Sequence, residues 1–160
     1  MKFIFNLHTK DNFGKYILFL DRDGVVIEDT GYPIEIKKLK IKTNTIKKII
    51  NFKKQNNINI CGFITNQSGV SRKYFTENKF WDTHKYIIKC CEDFGLFIDF
   101  TCVNFFKEEN YFRKPNNGMI ETSIKYFNAK RSSCYLIGDK ETDLLSAKKS
   151  RVKYIDINFF

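Results

Sequence analysis

The stretch ILFLDRDG, residues 17–24, runs four apolar residues directly into Asp-Arg-Asp-Gly. The apolar run predicts a buried strand, and because side chains alternate along a strand, Asp21 and Asp23 can project to the same side of its tip. Gly24 allows the chain to turn sharply after them. Two carboxylates at the end of a buried strand repel each other and resist losing water, so they need a compensating partner.

Working outward, short apolar runs alternate with amphipathic stretches along the chain. Strands are predicted at 16–20, 58–64, 97–105, 134–138 and 152–157. Helices are predicted at 44–55, 76–95, 116–128 and 141–150. Near-continuous apolar strands that alternate with helices favour a parallel sheet covered on both faces. We therefore predict an α/β fold, a three-layer Rossmann-like parallel sheet with helices on both faces.

Length and composition exclude several classes of protein. A chain of 160 residues with 42% hydrophobic residues is globular and suits one domain, predicted here as 1–160. Residues 1–15 form an N-terminal extension or an edge strand in this prediction. No apolar run approaches the roughly 18 residues of a membrane span, and the N-terminus lacks signal-peptide features. We expect a cytoplasmic protein that does not associate with a membrane.

Cysteine usage and charge add two further limits. The five cysteines are odd in number and show no CxxC spacing, which is typical of reduced thiols rather than a disulfide framework or a zinc site. The net charge of +10 would suit an anionic partner. The lysines are spread along a chain rich in Lys, Asn, Ile and Phe, so we attribute the charge more to composition than to a partner.

Polar side chains follow several predicted strands at the point where each strand ends. Thr65 follows the second strand, Lys114 stands before Pro115 ahead of the third helix, and Asp139 and Asp143 follow the fourth strand. The carboxyl ends of parallel strands form the site edge of such a sheet, so these groups should meet there. Several converging carboxylates need a cation, and their oxygen ligands favour Mg²⁺.

Four motifs occur in order: DRDGV, TNQSG, RKP with a following Gly, and GDKETD. Together they resemble the haloacid dehalogenase superfamily of phosphatases over roughly residues 16–157. The resemblance implies a haloacid dehalogenase-like fold. Few residues remain for a large cap domain, and residues 25–41 are interpreted as a short flap.

The resemblance also implies catalytic roles. Asp21 would be the nucleophile that forms an aspartyl phosphate. Asp23 would protonate the leaving oxygen and then take a proton from the attacking water. Thr65 and Lys114 would hold the non-bridging phosphate oxygens.

The metal ligands implied by the resemblance are Asp21, Asp139 and the main-chain carbonyl of Asp23. Asp143 would lie outside the direct ligands and orient Lys114 or a metal-bound water. The expected cofactor is Mg²⁺, which offsets the charge repulsion between nucleophile and phosphate.

Finer features are similar to the heptose 1,7-bisphosphate phosphatases and the related histidinol-phosphate phosphatases. In that group the Asp-x-Gly-Tyr after the first motif, the NQSG, the Arg-Lys and the Lys after the last Asp contact substrate. The matching positions here are Asp29, Gly31, Tyr32, Asn66, Gln67, Ser68, Gly69, Arg113 and Lys140.

One departure from this group is the zinc loop that usually precedes its RKP. The segment FTCVNFFKEENYFRKP, residues 100–115, holds only Cys102 and no histidine, so four-coordinate zinc cannot be built from it. We expect no structural zinc. Packing of four aromatic residues is predicted to hold the loop instead: Phe105, Phe106, Tyr111 and Phe112.

The sequence thus predicts a Mg²⁺-dependent phosphomonoesterase acting on a small phosphorylated sugar, foremost D-glycero-D-manno-heptose 1,7-bisphosphate converted to the 1-phosphate. Histidinol-phosphate phosphatase and polynucleotide 3′-phosphatase are the alternatives, and a non-catalytic phosphosugar-binding protein is less favoured. Nucleic acid is the less favoured partner because the sequence shows no concentrated basic stripe. We expect a monomer.

Overall fold

The computed structural model describes residues 1–5 and 16–160. These form a six-stranded sheet of order β1-β4-β3-β2-β5-β6. The strands are β1 Lys2–Phe5, β2 Ile17–Leu20, β3 Ile60–Asn66, β4 Phe100–Asn104, β5 Cys134–Gly138 and β6 Lys153–Asp156. The helices are α1 Thr43–Gln55, α2 Glu77–Asp93, α3 Gly118–Phe127 and α4 Glu141–Ser150. All strand pairs are parallel except β1 with β4.

The central strand β2 shows how the three layers arise. Leu18 and Leu20 point into one apolar cluster with buried residues of α1 and α2, while Ile17 and Phe19 point into a second cluster with α3 and α4. Because side chains alternate along this fully buried strand, they contribute to two hydrophobic cores, one on each face of the sheet. The predicted α/β, Rossmann-like sheet with helices on both faces is confirmed.

Local signals set the helix limits. The Thr76 hydroxyl accepts a hydrogen bond of 3.2 Å from the Lys79 N–H and caps the start of α2. Gly95, at φ +88°, follows the end of the same helix. None of the described helices has the length and apolarity needed to cross a bilayer.

The N-terminal segment supplies an edge strand at residues 2–5, antiparallel to β4. The rest of the predicted 1–15 extension, residues 6–15, lies outside the described residues. The stretch 25–41 interpreted as a flap begins with three fully buried residues, Val25 to Ile27, and Ile27 bridges to Ile41. Its exposed part is confined to the residues that follow, so the segment is anchored to the core at both ends.

The five cysteines are free thiols, and all except the half-buried Cys90 are buried. Burial raises the pKa of the Cys61 thiol to about 11, because the thiolate would lose its hydration. These thiols pack as small apolar side chains.

Candidate active site

The predicted polar residues meet where β2, β3 and β5 end. An open pocket of about 270 Å³ lies there. Its lining residues are Asp21, Asp23, Gly31, Tyr32, Thr65, Asn66, Ser68, Arg113, Lys114, Lys140 and Thr142. Thr142 has no counterpart among the sequence-predicted residues. Of those predicted, Asp29, Gln67, Gly69, Asp139 and Asp143 stand behind or beside this lining.

Lys114 is the centre of the buried charge. Its Nζ lies 2.9 Å from Asp21 Oδ1 and 2.6 Å from Asp143 Oδ1, and it donates a 3.0 Å hydrogen bond to the Ile64 carbonyl. All three charged side chains are buried. This arrangement ties the ends of β2, β3 and β5 through one ammonium group.

The pKa shifts of this group follow from burial and mutual charge. Burial raises the pKa of Asp21 to about 7; Lys114 opposes the rise, and the charges of Asp143 and Asp23 add to it. Burial alone would lower the pKa of Lys114, but the two carboxylates beside it outweigh burial and raise it. Lys114 therefore stays charged across the physiological range.

Two glycines make room for the carboxylates. A Cβ on Gly24, which sits at φ +85°, would lie 2.0 Å from Asp139 Oδ2. A Cβ on Gly138 would lie 2.4 Å from the Cβ of Asp143. Close approach of backbone to carboxylate thus requires glycine at both positions.

A divalent cation fits this arrangement. One carboxylate oxygen from each of Asp21, Asp139 and Asp143 lies within 4.8 Å of the others. Asp139 Oδ1 is buried and has no hydrogen-bond partner among the described residues, an arrangement that costs free energy unless something else binds it. Burial raises the pKa of Asp139, partly offset by the charge of Lys140.

The charge count points the same way. Four aspartates gather at this edge of the sheet: Asp21, Asp23, Asp139 and Asp143. The cations buried with them are Lys114 and Arg22. Two negative charges remain uncompensated if all four aspartates are ionised, and one remains if Asp23 is protonated, so this edge favours a hard cation with oxygen ligands such as Mg²⁺.

Asp143 differs from Asp139 because its carboxylate contacts other groups of the protein. Its Oδ1 pairs with Lys114, and its Oδ2 accepts a 3.2 Å hydrogen bond from the Lys140 backbone N–H at the start of α4. Asp143 Oδ1 therefore has an ion pair with Lys114, although it accepts no hydrogen bond within the described residues. Asp139 Oδ1 has neither a hydrogen bond nor an ion pair among them, so it is the less committed of the two oxygens.

Arg22, for which no role was predicted from the sequence, donates hydrogen bonds to both oxygens of the Asp23 carboxylate. Arg22 Nε lies 2.8 Å from Asp23 Oδ1, and its terminal nitrogen lies 3.0 Å from Asp23 Oδ2. Gln67 Nε2 donates to the same Oδ2 at 2.7 Å and to the Thr65 hydroxyl at 2.9 Å. The signal in the sequence was a charged residue placed between two carboxylates at the tip of a buried strand.

Asn66 bonds the backbone beside the site. Its side-chain amide donates to the Lys114 carbonyl at 3.0 Å and accepts from the Lys114 N–H at 3.2 Å. This pair of hydrogen bonds fixes the turn that carries Lys114. Asn66 and Gln67, both predicted to bind substrate, thus form hydrogen bonds with residues that are predicted to be catalytic. Asn66 also lines the open pocket, as Ser68 does.

The mouth of the pocket combines a salt bridge and an aromatic group. Lys140 Nζ lies 2.6 Å from Asp29 Oδ2, and the Gly31 N–H donates 2.8 Å to Asp29 Oδ1. Partial burial would raise the pKa of Asp29, but these hydrogen bonds outweigh burial and lower it. Tyr32 meets the exposed Tyr74 ring edge-on at 5.0 Å between centroids.

Comparison with known proteins now identifies the family. Residues 16–160 match the family described as polynucleotide kinase 3 phosphatase. The chain belongs to this family. It is 31% identical over 149 residues to the D-glycero-beta-D-manno-heptose-1,7-bisphosphate 7-phosphatase of Haemophilus ducreyi, covering 88% of this chain and 81% of that protein. It is 32% identical over 144 residues to the D-glycero-alpha-D-manno-heptose-1,7-bisphosphate 7-phosphatase of Burkholderia mallei, covering 84% and 75% respectively.

Solved structures share the fold. A HAD-like phosphatase from Mesorhizobium loti superimposes with a TM-score of 0.84 at 23% identity, over 94% of this chain and 75% of that one. The D,D-heptose 1,7-bisphosphate phosphatase of B. bronchiseptica, solved with magnesium and phosphate, gives 0.76 at 21% identity, over 88% and 78%. Together with the family match and the relatives above 30% identity, this confirms the predicted membership of the haloacid dehalogenase phosphatases, and the protein is a phosphatase.

In this phosphatase, hydrogen bonds and aromatic packing hold the loop between β4 and α3. The Arg113 guanidinium donates to the Phe106 carbonyl at 3.0 Å, and the Gly118 N–H donates to the Tyr111 carbonyl at 3.0 Å. Phe105 and Phe112 pack against apolar clusters as predicted. Tyr111 is half exposed, but its ring packs edge-on against Phe112 at 5.1 Å between centroids, as predicted. The packing prediction is wrong for Phe106, whose exposed fraction is 54%, because the hydrogen bond that its carbonyl accepts from Arg113 holds the backbone instead. The absence of a structural zinc stays a prediction.

Proposed function

We propose that this phosphatase hydrolyses D-glycero-D-manno-heptose 1,7-bisphosphate and leaves the 1-phosphate. The observation that supports this is the distribution of cations in the pocket. Lys114 lies at the bottom beside Asp21, while Arg113 and Lys140 line the same pocket nearer its mouth. A substrate with two phosphates would use both sets, and relatives at about 31% identity are named for that substrate.

Arg113 is the cation best placed for the second phosphate. Its guanidinium donates to the carbonyl of Phe106, a neutral acceptor, so the arginine keeps its full positive charge. Lys140 is paired with Asp29 and contributes less net charge. A guanidinium also presents donors in a fork that matches phosphate oxygens.

The first chemical step follows from the placement of Asp21 and Asp23. An Asp21 carboxylate oxygen attacks phosphorus, the bond between phosphorus and the sugar oxygen breaks, and that oxygen takes a proton from the protonated Asp23. The product is an aspartyl phosphate and a free sugar alcohol. Thr65 and Lys114 would hold the non-bridging oxygens while negative charge shifts onto them.

The second step restores the enzyme. A water oxygen attacks phosphorus and gives one proton to the Asp23 carboxylate, and the bond from phosphorus to Asp21 breaks. Inorganic phosphate leaves, Asp21 is again a carboxylate, and Asp23 is again protonated. Asp21, Asp139 and the Asp23 carbonyl are the groups proposed to hold Mg²⁺, with Asp143 orienting Lys114. The ion would supply positive charge that lowers the repulsion between carboxylate and phosphate.

A substrate panel tests the assignment. Phosphate release with Mg²⁺ would be measured as kcat/KM for both anomers of the heptose bisphosphate, for histidinol phosphate and for a 3′-phosphorylated oligonucleotide. We expect one heptose anomer to be preferred by at least about tenfold, a difference of about 1.4 kcal/mol in transition-state binding. Preference for histidinol phosphate or for the oligonucleotide would overturn the substrate assignment.

A matched variant tests the role of Arg113. Substituting Arg113→Met should raise KM for the bisphosphate far more than KM for the heptose carrying only the 7-phosphate, because only the former has a phosphate at the mouth. Arg72→Met, which removes an exposed arginine that does not line the pocket, is the control. Equal effects of Arg113→Met on both substrates would contradict binding of the second phosphate there.

A further inference from the structure

Arg22 is a fully buried arginine one residue away from each of the two catalytic aspartates. An arginine in such a place needs an explanation, because taking a guanidinium out of water is costly unless it is paired. Its Nε and one terminal nitrogen are paired with the two oxygens of Asp23, at 2.8 and 3.0 Å. Its own backbone N–H donates 2.8 Å to Asp21 Oδ1, so the residue touches both aspartates.

The fork from Arg22 and the amide of Gln67 together form what we call the Asp23 cradle. Each Asp23 oxygen has a donor: Oδ1 has Arg22 Nε, and Oδ2 has both Arg22 and Gln67 Nε2. Donors on both oxygens resist rotation of the carboxyl group. Because Gln67 also donates to Thr65, the cradle is tied to a second strand end.

Arg22 also contacts helix α2. The guanidinium carbon lies 5.2 Å from the centre of the Phe80 ring, a cation–π distance. The His84 ring stacks on Phe80 at 5.2 Å, and His84 Nε2 lies 2.9 Å from the Thr101 hydroxyl. Arg22 thus contacts an aromatic ring as well as a carboxylate, and a movement of Arg22 would break its hydrogen bonds to Asp23.

We propose that Arg22 is a positioning residue, which holds the Asp23 carboxyl group in the orientation for proton transfer to the leaving oxygen. The proposal rests on the phosphatase mechanism given above but not on the identity of the sugar. In the first step the proton passes from Asp23 to the ester oxygen as its bond to phosphorus breaks. A misaligned Asp23 slows that transfer even when substrate binding is unchanged.

This role predicts a dependence on the leaving group. An alkyl alcohol leaves only if its oxygen is protonated, whereas 4-nitrophenolate is stable as an anion and needs no proton. The ratio kcat/KM covers the steps up to the first cleavage at phosphorus, so it isolates this transfer from the later attack of water. Loss of the cradle should therefore lower kcat/KM for alkyl phosphates and spare the aryl ester.

The experiment compares Arg22→Met with the wild-type enzyme on glycerol phosphate and on 4-nitrophenyl phosphate, both with Mg²⁺. We expect kcat/KM for glycerol phosphate to fall roughly 100-fold, mainly through kcat, and that for the nitrophenyl ester to fall less than about fivefold. Asp23→Asn should show the same selectivity. Arg131→Met, which removes an arginine fork to Glu121 outside the pocket, should change neither value.

Equal losses on the two esters would overturn the proposal, because a merely structural defect does not discriminate between leaving groups. If Arg22→Met does not fold, Arg22→Lys keeps the charge without the two-point fork and should show the same selectivity in a folded protein. If the wild-type enzyme hydrolyses only the heptose bisphosphate, Arg22→Met is compared on that alkyl phosphate, and a loss in kcat/KM of less than about tenfold would overturn the positioning role. Failure to release phosphate from that substrate as well as from both esters would overturn the phosphatase mechanism itself.

Discussion

Two arginine–carboxylate pairs in this molecule both form two-point hydrogen bonds but have opposite surroundings. Arg22 holds Asp23 at 2.8 and 3.0 Å where β2 ends, and its side chain is 0% exposed. Arg131, in the turn before β5, holds Glu121 of α3 at 2.6 and 2.7 Å, and the Arg131 side chain is 45% exposed. Only the first pair stands at the pocket.

The comparison teaches that hydrogen-bond geometry alone does not give the energetic role of a charge pair. An exposed pair is screened by water and contributes about 0–1 kcal/mol. A buried pair costs desolvation on forming, yet its rupture leaves a buried charge without a partner and costs about 3–5 kcal/mol. Several charged side chains are nevertheless buried at the carboxyl edge of the sheet, because the proposed chemistry requires charged groups there.

The largest effect should come from the carboxylate at the centre of the buried edge. Substituting Asp21→Asn removes the attacking oxygen and should lower kcat for phosphate release by at least about 10³-fold. Glu121→Gln, a substitution of the same kind at the exposed pair, should leave kcat unchanged. Phosphate release under saturating substrate, with circular dichroism to check folding, measures both. Substantial turnover by the Asp21→Asn protein would refute its role as nucleophile.

The two forks themselves should differ in stability. Arg22→Met should lower the free energy of unfolding by about 3–5 kcal/mol, because Asp23 stays buried without its cation. Arg131→Met should lower it by about 1 kcal/mol or less. Urea denaturation near neutral pH measures both values.

A double substitution sharpens this second prediction. Arg22→Met combined with Asp23→Asn removes both charges and should recover part of the loss seen in Arg22→Met alone. Similar losses for Arg22→Met and Arg131→Met would mean that burial does not distinguish the two pairs.

A third prediction concerns the backbone at the buried edge. Gly24→Ala places a methyl group 2.0 Å from Asp139 Oδ2, at a φ of +85°. Gly95→Ala meets the same left-handed strain at φ +88° but has no atom within 4 Å of the new Cβ. Both should lose about 1–2 kcal/mol of stability from backbone strain, and Gly24→Ala should lose more because Asp139 must move.

The effect of Mg²⁺ on the melting temperature should also distinguish the two glycine variants. Mg²⁺ that binds only the folded protein raises the melting temperature by mass action. That rise should persist in Gly95→Ala and shrink in Gly24→Ala, as followed by thermal denaturation with and without Mg²⁺. An undiminished rise in Gly24→Ala would contradict the assignment of Asp139 as a metal ligand.

The fold was largely predictable because the apolar pattern determines it. Strand β5 and helix α4 have the predicted bounds, 134–138 and 141–150. The predicted strand 97–105 is shorter, Phe100–Asn104, because Ile98 packs into the core ahead of the strand and so mimics a strand residue in the pattern. Burial is visible in a sequence, but the hydrogen bonds that define a strand are not.

The site was predictable as a set of positions but not as a set of contacts. Strict alternation would point Arg22 away from Asp23, but β2 ends at Leu20, so alternation no longer applies at the aspartates. Asn66 could bind a ligand or a backbone, and nothing in its neighbours reveals that the Lys114 peptide, 48 residues away, lies beside it. Contacts between distant segments depend on the folded chain.

The smallest expected effect is the pH response of the exposed pair. The hydrogen bond from Arg131 lowers the pKa of Glu121 below its usual 4.5, although burial opposes the shift. A carboxyl group whose pKa is lower in the folded state stabilises the protein above its unfolded-state pKa and loses that contribution as the pH falls through the folded-state value. Wild type should therefore exceed Arg131→Met in unfolding free energy at neutral pH by about 1 kcal/mol or less, and the difference should vanish in acid. Urea denaturation of both proteins across this range gives the difference directly. A difference that persisted below the folded-state pKa would mean that Arg131 acts through its hydrogen bond to the Ser150 carbonyl, 3.0 Å away, rather than through Glu121.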